Sequence, residues 1–166
     1  MKSVVITGAS GFIGRHAISL LQERGYDVHC ITSGSKGLAG TGKAIWHQAD
    51  LMDPVQCDQL FKEISPSHLL HFAWYTEPGR FWSSDRNLDW TKASIDLLRS
   101  FHTCGGERVL MAGTCAEYEW LTECYHELST PLQPATLYGV CKDSLRRIAE
   151  GYCRQNKISM AWGRVF

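Results

Sequence analysis

The chain has 166 residues, which is enough for one domain with a single hydrophobic core. Hydrophobic residues make up 44% of the chain and charged residues 20%, within the ordinary range of soluble globular proteins. Seventeen basic side chains balance seventeen acidic ones, so the net charge does not indicate a nucleic-acid partner or an anionic membrane surface.

The amino terminus reaches Gly8 after one short apolar run, without the longer apolar stretch and small-residue cleavage site of a secretory signal. No segment approaches the roughly 18 apolar residues that span a membrane. The seven cysteines include no C-x-x-C pair, which predicts free thiols rather than a disulfide framework or a zinc site. We therefore expect a cytoplasmic protein without a metal centre.

Short apolar runs alternate with amphipathic stretches along the whole chain. The first run, Val4-Val5-Ile6, is β-branched and predicts a buried strand. Further strands are predicted at residues 28–31, 44–46, 68–73, 109–112 and 158–166. Helices are predicted at residues 11–24, 87–101 and 136–155, and a fourth opens at Asp53-Pro54, an N-cap followed by proline in the first turn. The glycine-rich residues 33–42 predict a flexible connection.

The predicted helix at residues 11–24 is amphipathic. Its apolar residues Ile13, Ala17, Leu20 and Leu21 share one helical face, and Gly25 supplies the stop signal. This helix directly follows the first strand.

Repeated alternation of strand and helix predicts an α/β fold: a doubly wound parallel sheet with helices on both faces. We see no repeat, low-complexity tract or internal boundary, so residues 1–166 are interpreted as one domain. The last residues, 161–166, form an apolar strand without a following helix or polar tail. A natural domain seldom finishes in this way, and we expect the chain to represent part of a longer protein.

The turn between the first strand and the first helix contains Gly8, Gly11 and Gly14 at three-residue steps. Glycines at these positions allow a tight turn and a close approach of the backbone to a phosphate. The N–H groups that open the helix then face the anion. The alternative is an ordinary glycine-rich loop, because three-glycine patterns also occur by accident. Placement directly after the first strand favours nucleotide binding.

The string TGASGFIG resembles the glycine turn of the extended short-chain dehydrogenase/reductase superfamily, the nucleotide-sugar epimerases and dehydratases. The resemblance continues through Asp50-Leu51, His71-Phe72-Ala73-Trp74 and Asn87, and covers essentially the whole chain. It implies a Rossmann-type fold, with the C-terminal substrate domain absent. The cofactor-binding residues that it implies are Gly8, Ser10, Gly11, Phe12, Ile13, Thr32, Ser33, Asp50, Leu51, Phe72, Ala73, Trp74, Asn87, Tyr138 and Lys142.

Tyr138 and Lys142 form a Y-x-x-x-K pattern, and residues four apart share a helical face. A free tyrosine has a pKa near 10, and a nearby cation is expected to lower it toward the working range. A lone Y-x-x-x-K is more often a surface pair, but here the glycine turn precedes it. The resemblance implies that Tyr138 transfers a proton, Lys142 holds the nicotinamide ribose, and Thr114 orients the substrate oxygen. The alternative for Thr114 is a simple turn cap.

The resemblance has one departure that bears on the reaction. Sugar dehydratases of this superfamily carry Asp-Glu directly after the threonine, whereas this chain has Cys115-Ala116, with Glu117 one place later. We therefore expect no dehydration, and 4-epimerisation or 4-keto reduction of a nucleotide-linked sugar remains. We interpret His71 as a packed strand residue and His126 as solvated, and no base is recognisable that would make Cys115 a nucleophile.

The coenzyme expected is NADP or NAD. An acidic residue at the end of the second strand usually selects NAD, yet Thr32 stands there, followed by Ser33 and Lys36, while Asp27 comes too early. Hydroxyl groups and a lysine favour a 2′-phosphate, so the pattern favours NADP. Arg15 is a candidate for additional positive charge, and the alternative is a surface residue of the helix.

The expected partner is a nucleotide-sugar substrate, with neither nucleic acid nor membrane. Two alternatives stay open: a non-catalytic dinucleotide-binding module, and a reductase of a small non-sugar carbonyl compound. The family often forms homodimers through a four-helix interface, here equivalent to residues 87–101 and 136–155. The apolar residues of those helices could equally face the sheet.

Overall fold

A computed structural model describes residues 2–34, 43–120 and 124–166. The strands are β1 (Ser3–Thr7), β2 (Asp27–Thr32), β3 (Ile45–Gln48), β4 (His68–His71), β5 (Arg108–Thr114) and β6 (Ser159–Val165). The helices are α1 (Gly14–Glu23), α2 (Pro54–Ile64), α3 (Arg86–Thr103) and α4 (Leu137–Gln155), and a short 3₁₀ turn spans Cys115–Glu117. Each predicted strand and helix is therefore present, with bounds shifted by a few residues.

The strands form one parallel sheet in the order β3-β2-β1-β4-β5-β6. The chain first moves outward from β1 to β3, then returns to β4 on the other side of β1. Thr7 pairs with His71 where β1 and β4 end, so the reversal of direction lies between these two strands. Ligands of open α/β sheets bind outside the carboxyl ends of the strands at such a reversal.

Successive side chains of β1 point to opposite faces of the sheet, and each face has its own hydrophobic cluster. Val5 packs in a cluster with residues of α2, α3 and α4, among them Phe61, Phe101 and Leu145. Val4 and Ile6 point to the other face and pack against α1. Helices therefore cover both faces, which confirms the predicted doubly wound architecture.

The predicted core face of α1 is wrong at two positions. Leu20 is 50% exposed and Ile13 is 40% exposed, whereas Ala17, Ile18 and Leu21 pack against the sheet. Ile13 is the N-cap, so it precedes the helix, which begins at Gly14. Residues 17, 18 and 21 lie within an arc of about 100° that packs on the sheet, and residue 20 lies about 60° outside this arc.

The structure confirms the residues predicted to start α2 and to stop α1. The Asp53 carboxylate accepts hydrogen bonds from the backbone N–H groups of Val55 at 2.9 Å and Gln56 at 3.3 Å. Pro54 occupies the first turn, and Gly25 has a φ of +78° just after α1. Of the predicted flexible connection, residues 35–42 lie outside the described part of the chain, and Lys36 with them. Within the described ranges, α1 to α4 include no helix long and apolar enough to cross a membrane.

Candidate active site

The glycine turn packs against the carboxyl end of β4. Gly8 has a φ of +67°, and a Cβ built on it would stand 2.7 Å from the backbone nitrogen of Ala73. A Cβ on Gly14 would stand 2.3 Å from the Gly8 carbonyl oxygen. Side chains at these two positions would therefore collide with the backbone. Gly11 is exposed, and its backbone N–H donates to the Gly8 carbonyl at 3.0 Å, which closes the turn.

A cavity of about 330 Å³ opens at the carboxyl ends of β1 and β2. Seven of the predicted cofactor-binding residues line this cavity: Gly8, Ser10, Thr32, Ser33, Asp50, Leu51 and Ala73. Sequence reasoning missed its other lining residues: Ile31, Ala49, Met52, Arg86 and Trp90. Arg86 and Trp90 come from α3, which no local pattern connects with the glycine turn.

Eight predicted contact residues stand outside the described lining of this cavity. Phe12 is 78% exposed beside the turn, next to Ile13, and Phe72 packs on the α1 side of the sheet. Asn87, Tyr138 and Lys142 are buried, and Trp74, on the chain that joins β4 to α3, contacts each of them. Gly11 also belongs to the turn rather than to the lining.

Asp50 is held at the edge of the cavity by local hydrogen bonds. Its carboxylate accepts from the backbone N–H of Met52 at 2.9 Å, and its own N–H donates to Gln56 Oε1 at 3.1 Å. A carboxylate fixed in this way can accept a hydrogen bond from an exocyclic amine of a base. The position suits the contact with adenine that the resemblance implies for Asp50-Leu51.

Thr114, Tyr138 and Lys142 come together at the end of β5 and the start of α4. Thr114 is the last residue of β5, and α4 begins directly before Tyr138, where the Thr136 hydroxyl caps the helix through the Gly139 N–H at 3.1 Å. All three predicted reacting residues are buried. The Thr114 side chain hydrogen-bonds with Tyr138 and also accepts from the Ala116 N–H at 3.2 Å.

Burial raises the pKa of Tyr138, while its hydrogen bond with Thr114 acts in the opposite direction. The prediction that Lys142 lowers this pKa is wrong for the structure. Burial itself lowers the pKa of Lys142 to about 7, so the amine carries less than a full charge near neutral pH. The two side chains share a helical face, as expected, but the lysine is directed at other groups.

The Lys142 ammonium donates to the Ala112 carbonyl at 2.8 Å and lies 3.8 Å from the centre of the Trp74 ring. The Trp74 indole N–H donates to Asn87 Oδ1 at 2.9 Å. Asn87 in turn donates to the carbonyl of Phe81 at 2.6 Å and to that of Ser84. One network therefore connects the lysine to the chain that covers Tyr138.

Three aromatic rings surround the phenol of Tyr138. The Phe81 ring is 4.9 Å away between centroids, the Trp82 ring 5.8 Å and the Trp74 ring 6.4 Å. All three contacts are edge-to-face, with interplanar angles between 67° and 86°. Sequence reasoning missed Phe81 and Trp82, because they lie in an irregular segment without periodicity.

Glu117 is fully buried and has structural partners. Its carboxylate accepts from the Thr114 N–H at 2.9 Å, the Trp162 indole N–H at 3.0 Å and the Arg164 guanidinium at 2.7 Å. The capping box with Thr114 shapes the turn that follows β5. A carboxylate engaged in this way is poorly suited to remove a substrate proton, and the expectation against dehydration stays a prediction.

The residues discounted from the sequence lie as expected. His71 is buried between the hydroxyls of Thr7 at 2.7 Å and Ser94 at 2.8 Å. Burial, together with the charge of Lys142, lowers the pKa of His71 to about 3. His126 is exposed. Within residues 2–34, 43–120 and 124–166, no three His, Cys, Asp or Glu side chains are grouped as a metal site.

Comparison with known proteins gives a consistent match. A sequence profile of the NAD dependent epimerase/dehydratase family matches residues 4–166. UDP-glucose 4-epimerase 2 of Arabidopsis thaliana is 25% identical over 90% of this chain and 49% of its own length. dTDP-6-deoxy-L-talose 4-dehydrogenase (NAD(+)) of Aggregatibacter actinomycetemcomitans is 24% identical over 99% of this chain and 60% of its own.

Solved structures share the fold. The UDP-Glc/GlcNAc 4-epimerase of Campylobacter jejuni aligns over 100% of this chain and 54% of its own, with a TM-score of 0.87 and 22% identity. The Thermus thermophilus UDP-glucose 4-epimerase in complex with NAD aligns over 98% of this chain and 54% of its own, with a TM-score of 0.85 and 24% identity. The chain spans about half the length of these relatives.

Proposed function

The chain belongs to the NAD dependent epimerase/dehydratase family, and we propose that it binds a nicotinamide dinucleotide for 4-epimerisation or 4-keto reduction of a nucleotide-linked sugar. One observation carries the proposal: Tyr138, whose pKa is affected by Thr114, is linked through the Trp74 ring to Trp90, which lines the same cavity as the glycine turn. The relatives that act on UDP-glucose and on a dTDP-linked deoxysugar support the substrate class.

The cavity fits the adenosine and diphosphate parts of a dinucleotide. Gly8 and Ser10 line it just before the start of α1, and the positive end of a helix dipole favours an anion. Asp50 offers a carboxylate oxygen at the opposite part of the lining. When bound, the nicotinamide supplies hydride transfer to and from the sugar carbon.

The reacting groups of the chain have separate roles in this proposal. Tyr138, whose pKa is raised by burial, is a neutral phenol at neutral pH and can give its proton to the carbonyl oxygen of a keto sugar. Thr114 orients that oxygen through its hydroxyl. Lys142 has three donors, of which one bonds to Ala112, so others can reach the ribose hydroxyls.

The choice between NADP and NAD has opposing support. Thr32 and Ser33 end β2 beside the cavity without a carboxylate at either position, which favours NADP. The name of the family and the NAD complex of the Thermus enzyme favour NAD. A homodimer through α3 and α4 stays a prediction, since these helices bury Leu97, Phe101 and Leu145 in the core of the chain itself.

A second candidate is a non-catalytic dinucleotide-binding module. It is favoured by the burial of Thr114, Tyr138 and Lys142 outside the lining of the cavity. Under this alternative the chain binds the coenzyme, but no sugar reaches the phenol.

Calorimetry and turnover assays on the purified chain separate these functions. We expect binding of NAD or NADP, and slow reduction of a dTDP-4-keto-6-deoxyhexose or interconversion of UDP-glucose and UDP-galactose, abolished in Tyr138→Phe. Coenzyme binding without any turnover would favour the non-catalytic module, and turnover of simple ketones alone would favour a small-carbonyl reductase. Absence of coenzyme binding would contradict the proposal as a whole.

A further inference from the structure

Two tryptophans form a corner beside the phenol of Tyr138. The rings of Trp82 and Trp120 meet edge to face at 5.5 Å with an interplanar angle of 87°. Trp82 is backed by Phe81, whose ring lies 4.3 Å away at 32°. We call Trp82 and Trp120 the tryptophan corner.

The corner is fixed to the start of α4 through the backbone. The Tyr138 N–H donates to the Trp82 carbonyl at 3.1 Å, so the segment that carries Trp82 cannot shift without moving Tyr138. The Trp82 and Tyr138 rings are also in edge-to-face contact. The Trp82 side of the corner therefore lies beside the phenol ring of Tyr138, with 5.8 Å between the ring centroids.

The corner has free aromatic surface. Trp120 is 50% exposed and Trp82 is partly exposed. Trp has a large apolar ring and is enriched where proteins bind ligands, because it contributes much contact area with few rotatable bonds. The two perpendicular indoles beside Tyr138 give this aromatic surface a defined shape.

We propose that Trp82 and Trp120 are specificity-determining residues that bind the sugar ring of the nucleotide sugar by stacking. This inference rests on the proposed function. The reacting carbon must lie at the phenol of Tyr138, so the pyranose ring that contains it occupies the adjacent space. The C–H groups of a pyranose present apolar faces that pack on indole, while its hydroxyls remain free for water and polar groups.

The nucleobase is a poorer occupant of the corner. In a nucleotide sugar, a ribose and two phosphates separate the base from the sugar ring. With the reacting carbon at Tyr138, the base therefore lies well beyond the neighbouring side chains. The corner thus contributes to recognition of the sugar and leaves affinity for the nucleoside diphosphate unchanged.

The test compares Trp120→Ala with the wild-type chain by calorimetry, using NAD, NADP, UDP, UDP-glucose and a dTDP-linked 6-deoxyhexose. We expect the affinity for at least one sugar nucleotide to fall about tenfold, which is within the range for loss of one stacked ring. Affinities for UDP and the coenzyme should stay within about twofold of wild type. Trp120→Phe should restore most of the loss, and Leu128→Ala, at a site that is 97% exposed, is the matched control.

The outcomes separate the inference from the proposed function. Equal loss of UDP and sugar-nucleotide affinity in Trp120→Ala would assign the corner to the base and overturn the inference. Unchanged affinity for the sugar nucleotides would also overturn it, as would a wild-type chain that binds coenzyme but neither sugar nucleotide. Failure of the wild-type chain to bind NAD or NADP would instead contradict the proposed function.

Discussion

The ammonium of Lys142 lies over the face of the Trp74 ring, 3.8 Å from its centre, inside the folded chain. Trp74 is fixed by its hydrogen bond to Asn87, and the Ala112 carbonyl accepts from the same ammonium. Burial lowers the pKa of Lys142 to about 7 and outweighs the negative charge of Glu117, which raises this pKa. The folded state therefore binds a proton at Lys142 less tightly than the unfolded state does.

This difference predicts how stability depends on pH. Between pH 7 and 10.5 the unfolded chain binds more protons at Lys142, because the usual pKa of 10.5 returns on unfolding. The free energy of unfolding should therefore rise with pH above 7, by at most about 1.4 kcal/mol per pH unit from this group. Lys142→Met should remove this rise and, at pH 7, leave the chain at least as stable as wild type.

Urea denaturation at pH 7.0 and 8.5 measures this effect. The exposed Lys92→Met variant is the control, since its parent side chain is 73% exposed. Apart from the two lysines, the three proteins carry the same titratable side chains, so the comparison of the pH-dependent changes isolates Lys142. The same pH dependence in Lys142→Met and wild type would contradict the pKa shift.

Glu117 is predicted to be a structural residue whose removal unfolds the site. Glu117→Ala leaves the Arg164 guanidinium, 13% exposed, without its carboxylate, and leaves the Thr114 N–H and the Trp162 indole N–H without an acceptor. Breaking a buried ion pair in this way typically costs about 3–5 kcal/mol. Lys92→Ala removes an exposed pair with Asp96 and should cost about 0–1 kcal/mol. Chemical denaturation measures the free energy of unfolding of both variants. A decrease below about 1 kcal/mol in Glu117→Ala would contradict the structural role.

The glycines of the turn are predicted to have different roles. Gly8→Ala introduces a Cβ that meets the Ala73 nitrogen at 2.7 Å, at a φ of +67°, so it should destabilise the fold by about 1–3 kcal/mol. Gly11→Val has an ordinary φ and a nearest contact of 3.1 Å, so its effect on stability should be smaller. Because Gly11 is exposed on the turn, the valine should instead reduce coenzyme affinity by about tenfold or more. Thermal denaturation and calorimetry on both variants test the assignment, and a Gly11→Val chain with wild-type coenzyme affinity would refute it.

Thr32 offers a test of coenzyme choice. Its hydroxyl accepts from the Gly34 N–H at 3.3 Å and lies at the cavity wall. An aspartate can accept the same hydrogen bond and adds a negative charge, which repels a 2′-phosphate and binds ribose hydroxyls. Thr32→Asp should therefore change the ratio of NADP to NAD affinity about tenfold in favour of NAD, whereas Thr32→Ser should not. If the ratio is the same in all three proteins, the end of β2 does not select the coenzyme.

The sequence predicts the sheet well because strands and caps are local signals. The β-branched run at Val4 and the Asp53-Pro54 pair each indicate an element without reference to the rest of the chain. The exposed Leu20 shows the limit, since spacing places it near Ala17 and Leu21 on the helix, but the sheet packs on the side of Ile18 instead. Helix phase therefore needs the packing partner as well as the pattern.

The site is predicted less completely than the fold. Trp82 and Trp90 reach it from a loop and from α3, and only the folded arrangement brings them beside Tyr138 and the cavity. The direction of the Tyr138 pKa shift also depends on burial, which raises this pKa and outweighs the opposite effect of Thr114. Motifs thus predict which residues share a site, whereas their protonation depends on what surrounds them.

His71 predicts a loss of stability in acid. It is buried between the hydroxyls of Thr7 and Ser94, and its pKa is lowered from 6.5 to about 3. Between these values the unfolded chain binds a proton that the folded chain does not, so stability falls as the pH falls from 6.5 toward 3, by at most about 1.4 kcal/mol per pH unit. His71→Gln removes this group, and the exposed His16→Gln is its matched control. We expect the difference in unfolding free energy between pH 6.5 and 4.5 to shrink by about 1–3 kcal/mol in His71→Gln only. An equal acid sensitivity of His71→Gln and wild type would show that the imidazole is protonated in the folded chain.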